Sequence, residues 1–233
     1  MALITCLLFL IFPSCQKDEF TQDSLVDISP LASSKGVKPK QGRVKDFEGN
    51  VYKTVQIGNQ WWMAENLNSL KYSDGTIINE VYAYNNDEIN TEEYGRLYTW
   101  NAAMKGTASE KAQGVCPVGW HIPSVGDWVI LEDFLGGYQI AGGKMKESGT
   151  THWLSPNTGA TNSSGFASLP SGSYFYGNFL TIGQAAFYWA SSLWIDNFHA
   201  AYRTTDFQME GLYNCCTNPL RTDALSVRCI KDN

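Results

Sequence analysis

Cys116-Pro117-Val118-Gly119-Trp120-His121-Ile122-Pro123, running directly into Ser124 through Gly137, is the stretch around which this chain is organised. Two prolines and a glycine make its first half a rigid, non-repetitive corner. Ser124 is placed to N-cap a helix, with Asp127 near the positive end of the helix dipole. Trp128, Leu131 and Leu135 recur at helical spacing beside Phe134, and Gly136-Gly137 supplies a left-handed stop. Asp127, Glu132 and Asp133 read as solvated charge on the helix's outer side. The unit therefore reads as the structural keystone of a domain, carrying a cysteine and an indole at the corner and a buried face on the helix.

Outward from the corner, the composition describes an aromatic, turn-rich chain. Its 233 residues are 43% hydrophobic and 13% aromatic, with eight Trp, twelve Tyr and 21 Gly. That mixture predicts short strands and long loops around a real core. The net charge of -6, without a large Lys/Arg cluster, argues against a nucleic-acid partner.

The N-terminal end predicts export. Ala2 to Phe12 is an apolar run of signal-peptide length, too short to span a bilayer permanently. Phe12-Pro13-Ser14-Cys15 resembles a bacterial lipobox, so residues 1–14 are read as a lipoprotein signal peptide and Cys15 as the lipidation site. Acyl chains contribute about 0.8 kcal/mol per buried methylene, so several on one residue give a lasting membrane anchor. Residues 15–41 are polar and patternless and read as a flexible tether. Residues 42–233 are the folded domain.

Within the domain, Val51, Val55 and Ile57 alternate with Tyr52, Thr54 and Gln56, the period of a half-buried strand. Gly58-Asn59 is a hairpin turn before Gln60-Trp61-Trp62-Met63. Tandem tryptophans on a strand point to opposite faces, so one is expected in the core and the other at an edge or groove. Asp74-Gly75 marks a turn, and Tyr82 to Glu93 reads as an acidic surface loop. Leu97, Trp100 and Met104 predict a short helix. Gly142-Gly143-Lys144 reads as loop. Strands are predicted at Phe166 to Leu169, Ser173 to Phe179, Ala186 to Ser192 and Phe198 to Thr205. A final strand from Ala224 to Lys231 sets Leu225, Val227 and Cys229 against Ser226 and Arg228. The fold class is α+β: two short helices against twisted, mainly antiparallel strands with long loops.

Removal of Cys6 with the signal and acylation of Cys15 leave Cys116, Cys215, Cys216 and Cys229. In an oxidising envelope these are expected in disulfides. Cys116 at the rigid corner and Cys229 on an inward strand face are the first-choice pair. Cys215 and Cys216 either form a vicinal bridge or stay reduced. The thiols lack paired C-x₂-C spacing, which argues against zinc.

These residues also carry a family resemblance. Val55 to Leu67 (VQIGNQWWMAENL), Tyr94 to Trp100 (YGRLYTW), Cys116 to Pro123 (CPVGWHIP) and Ser226 to Asp232 (SVRCIKD) resemble the Fibrobacter succinogenes major paralogous domain. Ala160-Thr161-Asn162 with Gly165-Phe166, and Tyr188 to Ser192, fit its middle. The resemblance covers residues 42–232 and implies a bacterial surface lipoprotein of the Bacteroidetes type. It also implies a fold related to C-type lectin-like domains, in which a disulfide joins the helix region to the last strand.

Chemistry-bearing motifs are sparse. The sequence contains no G-x-S-x-G, H-E-x-x-H, Walker A or dinucleotide fingerprint. Trp194-Ile195-Asp196-Asn197 superficially resembles the calcium-binding element of sugar-binding lectins, but its Glu-Pro-Asn partner is missing, and six to eight converging oxygens are required. It reads as an exposed turn, and neither a metal nor a cofactor is expected. His121 is read as a hydrogen-bonded structural residue. Loop aromatics exceed what a small core requires and suit stacking on sugars or proteins. Tyr174, Tyr176, Trp194, Asp196, Asn197 and Tyr202 are therefore the candidate ligand-binding residues. Tyr188 and Phe198 belong to the same aromatic group.

The function expected is a non-enzymatic recognition or adhesion domain on an outer-membrane lipoprotein. Its partners would be a membrane through the lipid, and a glycan or surface protein as ligand. The alternative is a structural subunit of a fimbrial-type surface assembly. Behind both stands an oxidase of the formylglycine-generating kind, for which only Cys215-Cys216 offers a redox pair.

Overall fold

The computed structural model describes residues 39–194, 196, 198–214 and 219–232. Expectations for Cys15, Asn197, Cys215 and Cys216 lie outside these residues. Strand β1, Gln41–Lys45, pairs antiparallel with β2, Val51–Ile57, which returns through Gly58-Asn59 into β3, Gln60–Met63. Gly58 has a φ of +60°, the left-handed conformation this turn requires. Next come β4, Val81–Tyr82, helix α1, Asn90–Tyr94, strand β5, Leu97–Thr99, and helix α2, Trp100–Ala103. The corner supplies β6, Trp120–His121, and then α3, Val125–Phe134, and α4, Tyr138–Met145. The remaining strands are β7, Ser171–Phe175, β8, Asn178–Ile182, β9, Ala185–Leu193, β10, Ala200–Asp206, β11, Ala224–Ser226, and β12, Ile230–Lys231.

Two sheets result. One runs β1-β2-β3-β12-β6 and the other β10-β9-β7-β11-β5-β4, with β8 paired to β7. Most pairings are antiparallel, but β9 runs parallel to both β7 and β11. The first sheet is covered on both sides. Tyr52 and Met63 enter a core with Tyr98, Trp100, Trp189 and Tyr202. Val55, Ile57 and Trp62 enter another with Trp128, Leu131, Phe166 and Tyr188. The tandem tryptophans divide between them: Trp62 is fully buried against Trp128, ring centroids 4.6 Å apart, whereas Trp61 is half-buried against the other core.

Several sequence expectations need correction. In place of two short helices, four α-helices stand among the described residues. Leu97 to Met104 is a strand joined to a helix, with Thr99 ending the one and capping the other by accepting the Ala102 N–H. The Tyr82 to Glu93 loop contains α1. Gly142-Gly143-Lys144 is helical, because its glycines admit a crossing chain: a Cβ on Gly142 would lie 2.0 Å from the Gly211 carbonyl oxygen. The low helix propensity of the paired glycines gives way there to the demand for close backbone approach. Phe166 to Leu169 makes only a bridge, Ser168 to Lys146, and Ser173 to Phe179 is a hairpin turning at Tyr176-Gly177. The last strand breaks into β11 and β12 in different sheets, with Ser226 and Arg228 as buried as their apolar neighbours.

The corner itself forms a capped junction. The Ser124 side chain accepts the Asp127 N–H at 3.2 Å, and the Asp127 carboxylate accepts from the Ser124 N–H at 2.9 Å, a complete capping box. Lys111 Nζ lies 3.0 Å from Asp127, and His121 lies between Asp127 and Asp232 at 3.5 and 2.6 Å. Asp127 is therefore buried, not solvated. So is Glu132, which pairs with buried Arg203 from β10; burial pushes the Glu132 carboxyl up despite the guanidinium. Of the three acids, only Asp133 is exposed.

This cluster gives the protein a pH signature. Burial alone would raise the Asp127 carboxyl, but bonds from His121, Ser124 and Lys111 outweigh it and hold the group well below the usual range. Burial alone would lower His121, but Asp127 and Asp232 raise it. The Asp127 contribution is present above its unfolded value, about pH 4, and is lost as pH falls further. The His121 contribution is full below its unfolded value, about pH 6.5, and is lost as pH rises through the higher folded value. A Tm plateau between about pH 4 and 6.5 is expected, with His121→Gln flattening the alkaline limb. An alkaline limb that His121→Gln leaves unchanged would refute this assignment.

Candidate functional site

A groove of about 670 Å³ lies along part of β2. One wall is the Val51–Val55 part of β2, and the segment after β3 brings Ala64, Glu65, Asn66 and Asn68. Thr91, Glu92, Glu93 and Gly95 come from α1 and its C-cap. The far wall is Glu147 with Asn162, Gly165, Ala167 and Leu169, and Arg228 lies at the floor. The volume lies within the range typical of ligand sites.

Arg228 organises this floor. It is 1% exposed, with Nε donating to Asn66 Oδ1 at 2.7 Å and the guanidinium donating to the carbonyls of Phe166 and Ala167. The charge stacks over the Phe166 ring at 4.4 Å and near Tyr188 at 5.5 Å. Burial pulls its pKa down, against the pull of Tyr188 and Glu65, yet a guanidinium remains charged at neutral pH. Asn66 Nδ2 donates to the Tyr94 carbonyl at 2.8 Å and to Ser226 Oγ at 3.3 Å, so one amide ties α1, β11 and the arginine together. Gly95 permits this closeness: at φ +68°, a Cβ there would meet the Asn66 Cβ at 2.7 Å.

The rim is acidic. Glu65 accepts from the Lys53 backbone at 2.7 Å and pairs with Lys53 Nζ at 3.0 Å. Glu147 and Glu93 sit on either side of His152, at 2.8 and 3.2 Å from its two ring nitrogens. Among the described residues no group of three His, Cys, Asp or Glu side chains is arranged to hold a metal ion. The groove lining contains no cysteine or histidine.

Some of the lining comes from the stretches quoted above for their resemblance: Val55 and Ala64 to Asn66, Gly95, Asn162 with Gly165, and Arg228. The family model for the Fibrobacter succinogenes major domain matches residues 55–231. The chain belongs to that family. No curated protein and no solved structure matches it. In this Fibrobacter succinogenes major domain, four of the six quoted stretches contribute to the groove, and Cys116 to Pro123 and Tyr188 to Ser192 do not.

The aromatic residues selected from sequence do not converge. Tyr202 is fully buried and packs on Phe187, so it is a core residue and not a ligand contact; Tyr188 is likewise buried. Tyr174 is half-buried, stacked on Tyr82 at 4.6 Å and against Phe179 at 4.8 Å. Trp194 is half-buried, and the Asp196 carboxylate is occupied by the N–H groups of Phe198 and His199 and by the His199 ring. Tyr176 is 67% exposed at the β7–β8 turn, and Phe198 is 72% exposed. A second, shallower recess of about 400 Å³ is lined by Asn101, Phe198, Leu220, Arg221 and Thr222, and by none of the six candidate residues. Cys116 and Cys229 do form a disulfide, the pair expected from the sequence.

Sequence reasoning missed the groove because Arg228 alternates with apolar neighbours and reads as solvent-facing. One signal was present: an arginine set among Leu225, Val227, Cys229 and Ile230 in a closing strand. A charge at that density of apolar residues has to find internal partners.

Proposed function

We propose that this is a recognition domain of a bacterial cell-surface lipoprotein, held in the outer membrane through Cys15, and that the Arg228-floored groove receives a carbohydrate. The observation that carries the reading is the groove's lining. Amides, carboxylates and hydroxyls surround a volume of ligand size, and such planar polar groups suit the hydroxyls of a sugar. The presence of Val55, Asn66, Gly95, Asn162 and Arg228, from four of the family-bearing stretches, in its lining supports it. The lipobox-like Phe12-Pro13-Ser14-Cys15 supports the anchor, and two sheets with mainly antiparallel pairing agree with a C-type-lectin-like scaffold.

The role is binding without turnover. Both described thiols are in the disulfide, and the floor cation is spent on internal hydrogen bonds. A glycan array probed with the lipid-free chain tests the reading. Val51 is 51% exposed on the groove's lip, so Val51→Trp fills the mouth at an open position. It is expected to weaken binding at least tenfold while moving Tm by no more than about 2 °C. Tyr176→Ala and Trp194→Ala are expected to leave binding intact. Loss of binding in those two but not in Val51→Trp would move the site away from the groove, and shortened glycan products would overturn binding without turnover.

A further inference from the structure

The groove carries more carboxylates than cations. Its carboxylates, Glu65, Glu92, Glu93 and Glu147, face two formal cations, Lys53 and Arg228, and Glu93 and Glu147 share the His152 ring at 3.2 and 2.8 Å. Arg228 is buried and donates inward to Asn66 and two carbonyls, and Lys53 is held by Glu65. Two lining amides are committed, Asn50 Nδ2 to Asp46 at 2.8 Å and Asn66 Nδ2 to Tyr94 and Ser226, whereas the Gln41, Asn68 and Asn162 amide nitrogens donate no hydrogen bond among the described residues. The Glu92 side chain is exposed and makes no hydrogen bond or ion pair among the described residues. A ligand complementary to this charge balance brings positive charge of its own.

We propose that the groove selects glycans bearing free amino groups, that is, chains containing un-acetylated hexosamine. This rests on the groove being the carbohydrate site. Ammonium groups would answer the rim carboxylates, and the ring hydroxyls would donate to the remaining acceptors. A basic peptide fits less well, because β2 is paired on both sides, to β1 and β3, and offers no free strand edge for a peptide backbone to extend. Acidic glycans are disfavoured by the same rim.

The test is calorimetric titration of the lipid-free chain at mildly acidic pH with three probes: a glucosamine oligomer, its fully N-acetylated counterpart, and an oligolysine of matched charge. The described part of the chain forms one compact unit with its own cores, so removing the anchor leaves it folded. The glucosamine oligomer is expected to bind at least tenfold more tightly than its acetylated counterpart. That advantage should shrink as salt is raised and fall several-fold in Glu92→Gln. Equal binding of the two saccharides, lost in Val51→Trp, overturns amine selection and leaves the carbohydrate site standing. Binding of neither saccharide overturns both. Tighter binding of oligolysine than of the glucosamine oligomer overturns the proposal in favour of a basic peptide.

Discussion

Replacing Cys116 by serine is expected to lower Tm by roughly 10–20 °C, the largest single-site effect in this protein. The bond spans 113 residues of sequence, joining the rigid corner to the junction between β11 and β12. Opening so long a loop releases about 4–5 kcal/mol of chain entropy in the unfolded state. Both cysteines are fully buried, so the serine also brings a hydroxyl into an apolar core, at a further cost of about 1–3 kcal/mol if it finds no partner. The double variant Cys116→Ala with Cys229→Ala separates these effects, since it removes the crosslink without adding a polar group. Thermal melts followed by circular dichroism, with and without reductant, provide the check. A drop below about 3 °C in the double variant would mean that packing alone holds corner and closing strand together.

Lys146→Met is expected to cost about 3–5 kcal/mol, for a different reason. Lys146 is fully buried, and its Nζ donates to the carbonyls of Thr158, Asp206 and Met209 at 2.8–2.9 Å. Burial pushes its ammonium down to about 8, against the pull of Asp206 and Glu210, which leaves it charged at neutral pH. Three N–H groups thus meet three backbone oxygens from two crossing loops, and methionine keeps the volume while stranding all three acceptors. The Trp153 ring, 5.5 Å from Nζ, would lose its cation as well. Urea unfolding measures the effect as a fall in midpoint. A loss under about 1 kcal/mol would show that water or loop movement satisfies the carbonyls.

The two lysines of Gly142-Gly143-Lys144-Met145-Lys146 show where sequence reading stops. Lys144 donates to the Leu135 carbonyl at 2.7 Å and so closes the C-terminal end of α3, a contact nine residues away. Lys146 reaches residues up to 63 positions distant. The stretch reads as loop because paired glycines lower helix propensity. The crossing chain at Gly211 made them necessary. Glu132 repeats the lesson: it reads as solvated charge on its helix, and only the packing of α3 on β10 brings Arg203 to it as a buried partner.

The sequence by itself determined the local pieces: the Gly58-Asn59 hairpin, the capped start of α3 at Ser124, the split between Trp61 and Trp62, and the pairing of Cys116 with Cys229. Each rests on interactions within a few residues or on a small choice among partners, so composition and period suffice. Only the tertiary structure decided the groove, the depth of Arg228 and the division of the last strand between two sheets. Those depend on surfaces contributed by segments far apart in the chain, and a buried charge is intelligible only once the carbonyls and amides that surround it are in place.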